Sequence, residues 1–147
     1  LTVAPVSLLA ADVEITGDVT PSPASSPVWT IPGPLTIGVT GNGTLAISGS
    51  GAVNSLSTTL ADGLSSSGTL QLLGGTLTTG QVSEGSGGGS VTFNGGTLRL
   101  AENQGALFSG FENGDVTING PGGGTIDTQS FAVATALNLT GNGLLTK

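Results

Sequence analysis

The chain has 147 residues, 27 of them glycine, with only 7% charged residues against about 25% in ordinary globular domains, and a net charge of −7. With Arg99 and Lys147 as its only cations, it lacks the basic surface that nucleic acid or an anionic membrane demands. It has no Cys, His or Tyr, which rules out disulfides, thiolate metal sites and imidazole-assisted nucleophiles. Gly- and Ser-rich chains often stay unfolded. Here 36% of residues are hydrophobic and recur at regular positions, which predicts a folded chain with a thin, elongated core.

The chain opens on Leu1 without Met or a basic leader, which reads as a processed or excised form whose export signal is gone. Apolar runs such as Leu8-Leu9-Ala10-Ala11 fall far short of the roughly 20 residues that span a bilayer, so no membrane insertion is expected. Residues 1–34 stand apart. Pro21, Pro23, Pro27, Pro32 and Pro34 fall there, around Trp29, the single Trp. Proline cannot donate to a strand ladder and belongs at edges and strand starts. This segment is expected to form the opening coil and an N-terminal cap, since an uncapped coil is a free sheet edge. It also holds Asp12, Glu14 and Asp18, with Asp12 and Glu14 on one face of a strand. The three are weak candidates for a calcium site. The simpler reading is solvated charge, and neither a metal nor any other cofactor is expected.

From residue 35 to 147 one continuous repeat domain is expected. A phrase recurs as Gly43-Thr44-Leu45, Gly68-Thr69-Leu70, Gly75-Thr76-Leu77, Gly96-Thr97-Leu98 and Gly124-Thr125-Ile126. Apolar pairs spaced by two accompany it: Leu45/Ile47, Leu70/Leu72, Val91/Phe93, Val116/Ile118 and Leu137/Leu139. A spacing of two is the signature of a strand with one buried face. A second apolar position follows each pair, at Val53, Leu77, Leu98, Ile126 and Leu144. Recurrence every 20–25 or so residues predicts an all-β fold, a parallel β-solenoid of roughly six coils. Its core ladder would be the ten residues of those pairs, with Thr and Ser outward and Gly at the corners.

The segment Gln104–Glu112, with Leu107, Phe108 and Phe111, is expected to be a loop or single helical turn whose Phe side chains cover the core. Gly85-Ser86-Gly87-Gly88-Gly89-Ser90 superficially matches a phosphate-cradling loop, but it has no Lys and no following helix, so it reads as a solenoid corner. Pro121–Asp127 faintly matches a calcium roll, which would need tandem copies to complete an ion's ligands. Asn42-Gly43-Thr44 and Asn138-Leu139-Thr140 fit the N-glycosylation triplet, a frequent chance match in a Thr-rich chain. The chain ends at Gly143–Lys147, which reads as stopping within a coil without a second cap.

The stretch Ile37–Gly49 resembles the repeat of bacterial autotransporter passenger domains, as does Phe93–Leu100 followed by Leu107–Val116 and Gly123–Thr128. The resemblance covers roughly residues 35–147. It implies a right-handed parallel β-helix exported to the bacterial surface, with adhesive, matrix or stalk roles, and it carries over no catalytic residue. The sequence departs from that pattern in reaching Lys147 without a membrane barrel, so a passenger fragment or a separately secreted relative is expected. The expectation is therefore a non-enzymatic structural or adhesive module, extracellular or on the bacterial cell surface. Its candidate partners are a surface glycan or another ligand on a host or neighbouring cell. The main alternative is a filament subunit that adds strands end to end. A polysaccharide-active enzyme ranks third, because its nine acids are scattered along the chain. Glycan binding without cleavage normally wants exposed aromatics, and only Trp29 and four Phe are available.

Overall fold

A strand with one wet face must alternate buried and accessible residues. In Thr44-Leu45-Ala46-Ile47-Ser48 the two aliphatic side chains are fully buried and their neighbours half-exposed. A computed structural model of the chain, describing residues 12–147, builds this pattern into a stack. The chain enters through β1 (Val13–Gly17) and β2 (Val19–Thr20), then winds through β3 (Val28–Thr30) and β4 (Leu35–Ile37). The next turn is β5 (Asn42–Ser48), β6 (Ala52–Asn54) and β7 (Thr58–Leu60). Above it lie β8 (Ser67–Leu73), β9 (Thr76–Thr79) and β10 (Val82–Glu84), then β11 (Gly88–Phe93), β12 (Gly96–Leu100) and β13 (Phe108–Ser109). The last rungs are β14 (Val116–Ile118), β15 (Gly124–Asp127) and β16 (Leu145–Thr146). There is no helix among the described residues.

Strands of successive turns pair with one another, so the chain is a β-solenoid of about five turns with three walls. The first wall runs β1-β5-β8-β11-β14, the second β2-β4-β7-β10-β13 and the third β3-β6-β9-β12-β15-β16. Pairing is parallel except at β1 on β5 and β2 on β4. Those two antiparallel strands take up the start of the expected opening coil and lie along the first rungs of two walls. Residues 1–11 of the expected cap lie outside the described residues.

Register pairing stacks like on like. Leu45, Leu70, Val91 and Val116 form one column of the first wall, and Ile47, Leu72, Phe93 and Ile118 the other. On the third wall Trp29 stands at the foot of Val53, Leu77, Leu98 and Ile126. Burial of such a column at about 25 cal/mol per Å² is the main force holding turn on turn.

The last turn departs from the expected spacing. Thr117 bridges Thr140, so Leu139 stands over Val116 and Gly141 over Ile118. Leu137 therefore lies two residues short of the column, and both leucines are only partly buried against the core. Similarly Leu145, not Leu144, pairs near the head of β15, opposite Gly124, and Leu144 is 78% exposed. The cause is the stretch between Thr128 and Leu139, which forms no strand; Val133 bridges back to Gln104 instead of continuing above β13. The Gln104–Glu112 segment also differs from expectation. Phe108 and Ser109 form β13, because Phe108 continues the buried column of Leu35, Thr58 and Val82 on the second wall.

The recurring Gly-Thr-Leu phrase serves two walls. Gly43 and Gly68 are the second residues of their rungs on the first wall; on the third, Gly96 and Gly124 open β12 and β15 and Gly75 immediately precedes β9. At all five the backbone is ordinary, and space is what demands glycine. A Cβ on Gly68 would strike the Ile37 carbonyl oxygen and lie 2.7 Å from the Ala61 nitrogen. One on Gly96 would lie 2.6 Å from Leu72 Cβ, and one on Gly124 2.7 Å from Phe93 Cβ. The phrase thus marks where one wall's chain crosses closest to its neighbour.

Candidate functional surface

The outward residues of the three walls are chiefly hydroxyls. Thr76, Thr97, Thr125 and Thr146 align on the third wall, and Thr20, Thr36, Thr59, Ser83 and Ser109 on the second. Neighbouring rungs stand about 4.8 Å apart, close enough for hydroxyl to meet hydroxyl, as between Thr59 and Ser83 at 3.2 Å. Such faces are wetted without charge. The one ion pair among the described residues, Arg99 Nε to Asp127 Oδ2 at 2.8 Å, interrupts the third wall. Arg99, helped by the Gln129 amide, holds the Asp127 carboxyl below the usual carboxylate range.

The corners are stitched by asparagine. The Oδ1 atoms of Asn94, Asn103, Asn113 and Asn142 accept from the backbone N–H of Gly122, Ala132, Asn138 and Gly120, each on an adjacent turn. Sequence reasoning assigned the corners to glycine alone. The missed signal is Asn in Asn94-Gly95, Asn113-Gly114 and Asn142-Gly143, a residue that can satisfy a corner amide that no strand partner reaches.

Asp12 and Asp18 of the opening segment are held apart by the length of β1. Asp12 precedes β1 and accepts from Ser50 Oγ at 2.9 Å; Asp18 follows β1. Six residues of extended chain put roughly 20 Å between them. Glu14 is exposed on β1, opposite Ala46. Asp18 Oδ2 is engaged by the Thr40 and Gly41 amides at 2.7 and 2.8 Å, which hold its carboxyl below the usual carboxylate range. Its role in the structure is to tie the entry strands to the first full turn. Among the described residues no three metal-ligating side chains come together.

Two inward positions of the second wall are polar. Thr58 lies in the column between Leu35 and Val82, and its hydroxyl joins those of Ser55 and Thr79 in a closed triangle with sides of 3.1, 3.0 and 3.1 Å. All three are buried, and each can donate once and accept once. Glu84, above Leu60, turns its carboxylate to the Gly89 N–H. Of the Gly85–Ser90 stretch, expected as a corner, only Gly85–Gly87 form the bend; Gly88, Gly89 and Ser90 already belong to β11, in register with Ser67, Gly68 and Thr69 of β8.

Two concavities lie toward the last turn. One, of about 570 Å³, is lined by Phe108, Phe111, Glu112, Asn113 and Leu137 with two alanines. The other, of about 160 Å³, is apolar and lined by Leu107, Ile126, Val133, Leu139 and Leu145 among others. Trp29 is buried in the core, only 6% exposed, so it offers no surface ring; Phe111 and Phe131 are the partly exposed aromatics.

Compared with known proteins, the chain matches no family model, no curated protein and no solved structure. The solenoid therefore rests on its own register.

Proposed function

We propose that this chain is a non-catalytic structural and adhesive module of a bacterial surface protein, working outside the cell. One observation carries the reading: the in-register columns of the first and third walls continue without a gap from Leu45 to Val116 and from Trp29 to Ile126. Such stacking makes a stiff spacer, each turn held only by its neighbours, with extended faces free for contact. The hydroxyl-covered, nearly uncharged walls suit a surface that must stay wetted outside the cell at varied ionic strength. The phrases at Ile37–Gly49 and Phe93–Leu100 support affiliation with the autotransporter passenger repeats, whose members are exported rods.

The test is display of the chain on the surface of a non-adherent bacterium, with adherence to host cells, matrix and other bacteria counted against a strain displaying an unrelated solenoid. The reading expects a gain in adherence or in cell–cell aggregation. Equal adherence in both strains, or cleavage of polysaccharide by the purified chain, would overturn it.

A second reading, end-to-end assembly, draws on the third wall. Its six strands run parallel from β3 to β16, so its two end rungs point the same way, as strand addition between copies requires. The first and second walls work against it, since both begin with an antiparallel strand. Electron microscopy over rising concentration separates the two: fibres support assembly, and monomers throughout dismiss it.

A further inference from the structure

The larger concavity has a composition unlike the rest of the surface. After β13, Gly110 takes φ +88°, and a Cβ there would lie 2.7 Å from the Glu84 carbonyl oxygen. That bend carries the chain off the second wall and sets the Phe111 ring edge-on to Phe108, centroids 6.0 Å apart at 88°. The following residues are locked. Asp115 Oδ2 accepts the Glu112 N–H at 2.8 Å, and Asn113 Oδ1 accepts the Asn138 N–H at 3.0 Å. These bonds fix the Glu112 backbone and the Asn113 side chain while leaving the Glu112 carboxylate and the Asn113 NH₂ without a partner among the described residues. The result is a groove of about 570 Å³, with an apolar floor of Phe108, Phe111 and Leu137 and a rim that offers both an acceptor and a donor.

Resting on the adhesive reading, we propose that this groove binds a short neutral oligosaccharide. A pyranose presents an apolar C–H face that suits an aromatic floor, and adjacent hydroxyls that donate to a carboxylate and accept from an amide. Clefts of roughly 300–1,000 Å³ accommodate ligands of this size. Charge sets the choice among sugars. Glu112 lies on the rim with Asp115 beside it, no Lys or Arg lines the groove, and the chain's net charge is −7. Sialylated, sulfated or phosphorylated glycans are repelled. A folded protein partner would need about 800 Å² of matching surface, more than this groove offers. A cationic peptide, which an aromatic ring beside a carboxylate can also hold, is the competing occupant.

The experiment titrates neutral gluco-, galacto-, manno- and N-acetylglucosamine-configured trisaccharides, a sialylated trisaccharide and oligolysine into the isotope-labelled full chain. Amide shifts are followed by NMR. The expected result is saturable shifts at residues 106–113 and 136–137 with at least one neutral sugar. Phe111→Ala abolishes them, and Glu112→Gln, an exposed isosteric change that leaves the fold intact, weakens binding about tenfold. The sialylated sugar leaves these amides unmoved. No shift with any neutral sugar, unchanged affinity in Glu112→Gln, or shifts only with oligolysine would overturn the proposal. Surface display separates its failure from that of the adhesive reading. Adherence that survives Glu112→Gln and excess free trisaccharide removes the groove but keeps the adhesin. Sugar binding without adherence keeps the groove and removes the adhesin.

Discussion

The buried hydroxyl triangle gives a prediction that no apolar contact would. Ser55 Oγ donates to Thr79 Oγ1, so a closed cycle has Thr79 donating to Thr58 and Thr58 to Ser55. Thr58→Val keeps the shape but removes two of the three bonds, and one of the remaining hydroxyls loses its partner in a site without solvent. An unmatched buried donor or acceptor costs about 1–3 kcal/mol, and the added methyl recovers under about 1 kcal/mol. The expected net loss is ~1–2 kcal/mol, or a Tm lower by roughly 2–8 °C for a chain of about this size. Ser55→Ala and Thr79→Val should each cost a similar amount. The triple variant Ser55→Ala/Thr58→Val/Thr79→Val leaves no orphan and should regain most of the loss, so the three effects are strongly non-additive. Urea denaturation followed by far-UV circular dichroism measures all four. A triple variant as destabilised as the sum of the singles would refute the closed cycle.

In the first wall, Leu70→Ala, fully buried between Leu45 and Val91, should cost about 2–5 kcal/mol in the same assay, whereas the outward Thr69→Ala should change little. Gly68→Ala should destabilise by about 1–3 kcal/mol or more through overpacking against the Ile37 carbonyl, while Gly88→Ala, with nothing within 4 Å, should be tolerated. Asp18 confers acid sensitivity on the entry strands. Its carboxyl titrates lower in the folded state than the ordinary 3.8, so its stabilising contribution is complete above that value and is lost as pH falls through the lower native one. Protection of the Thr40 and Gly41 amides against hydrogen exchange, relative to the intrinsic rate at each pH, should fall over that acid range, and Asp18→Asn should abolish that fall.

The first and third walls were legible because each rung places an aliphatic residue inward and repeats it a turn later, as at Leu45, Leu70 and Val91. The second wall was hidden. Its rungs are two or three residues long, and two of its inward positions hold Thr58 and Glu84, so the alternation that marks a strand never accumulates. Read with parity, Thr58 shares a face with Leu60 and Thr79 with Leu77, which is the signal that could have exposed the triangle. The last turn misled for another reason: spacing in sequence equals spacing in register only while every corner keeps its length, and the strandless stretch before Leu139 breaks that rule. At the surface, counting aromatics could not distinguish Trp29, buried at the foot of a column, from Phe111, turned outward by Gly110. Likewise the nearness of Asp12 and Asp18 in sequence becomes separation once β1 extends between them.

Spin labels give the most direct test of the stacking itself. The chain has no Cys, so labels go only where cysteines are placed. Ala52, Thr97, Thr125 and Thr146 share one outward column of the third wall. Pairs of Ala52 with each of the other three lie two, three and four rungs apart, at about 10, 14 and 19 Å between Cα atoms. Electron paramagnetic resonance should return distances that grow by about 4.8 Å with each added rung. Distances that fail to rise in that order would contradict the solenoid and everything built on it.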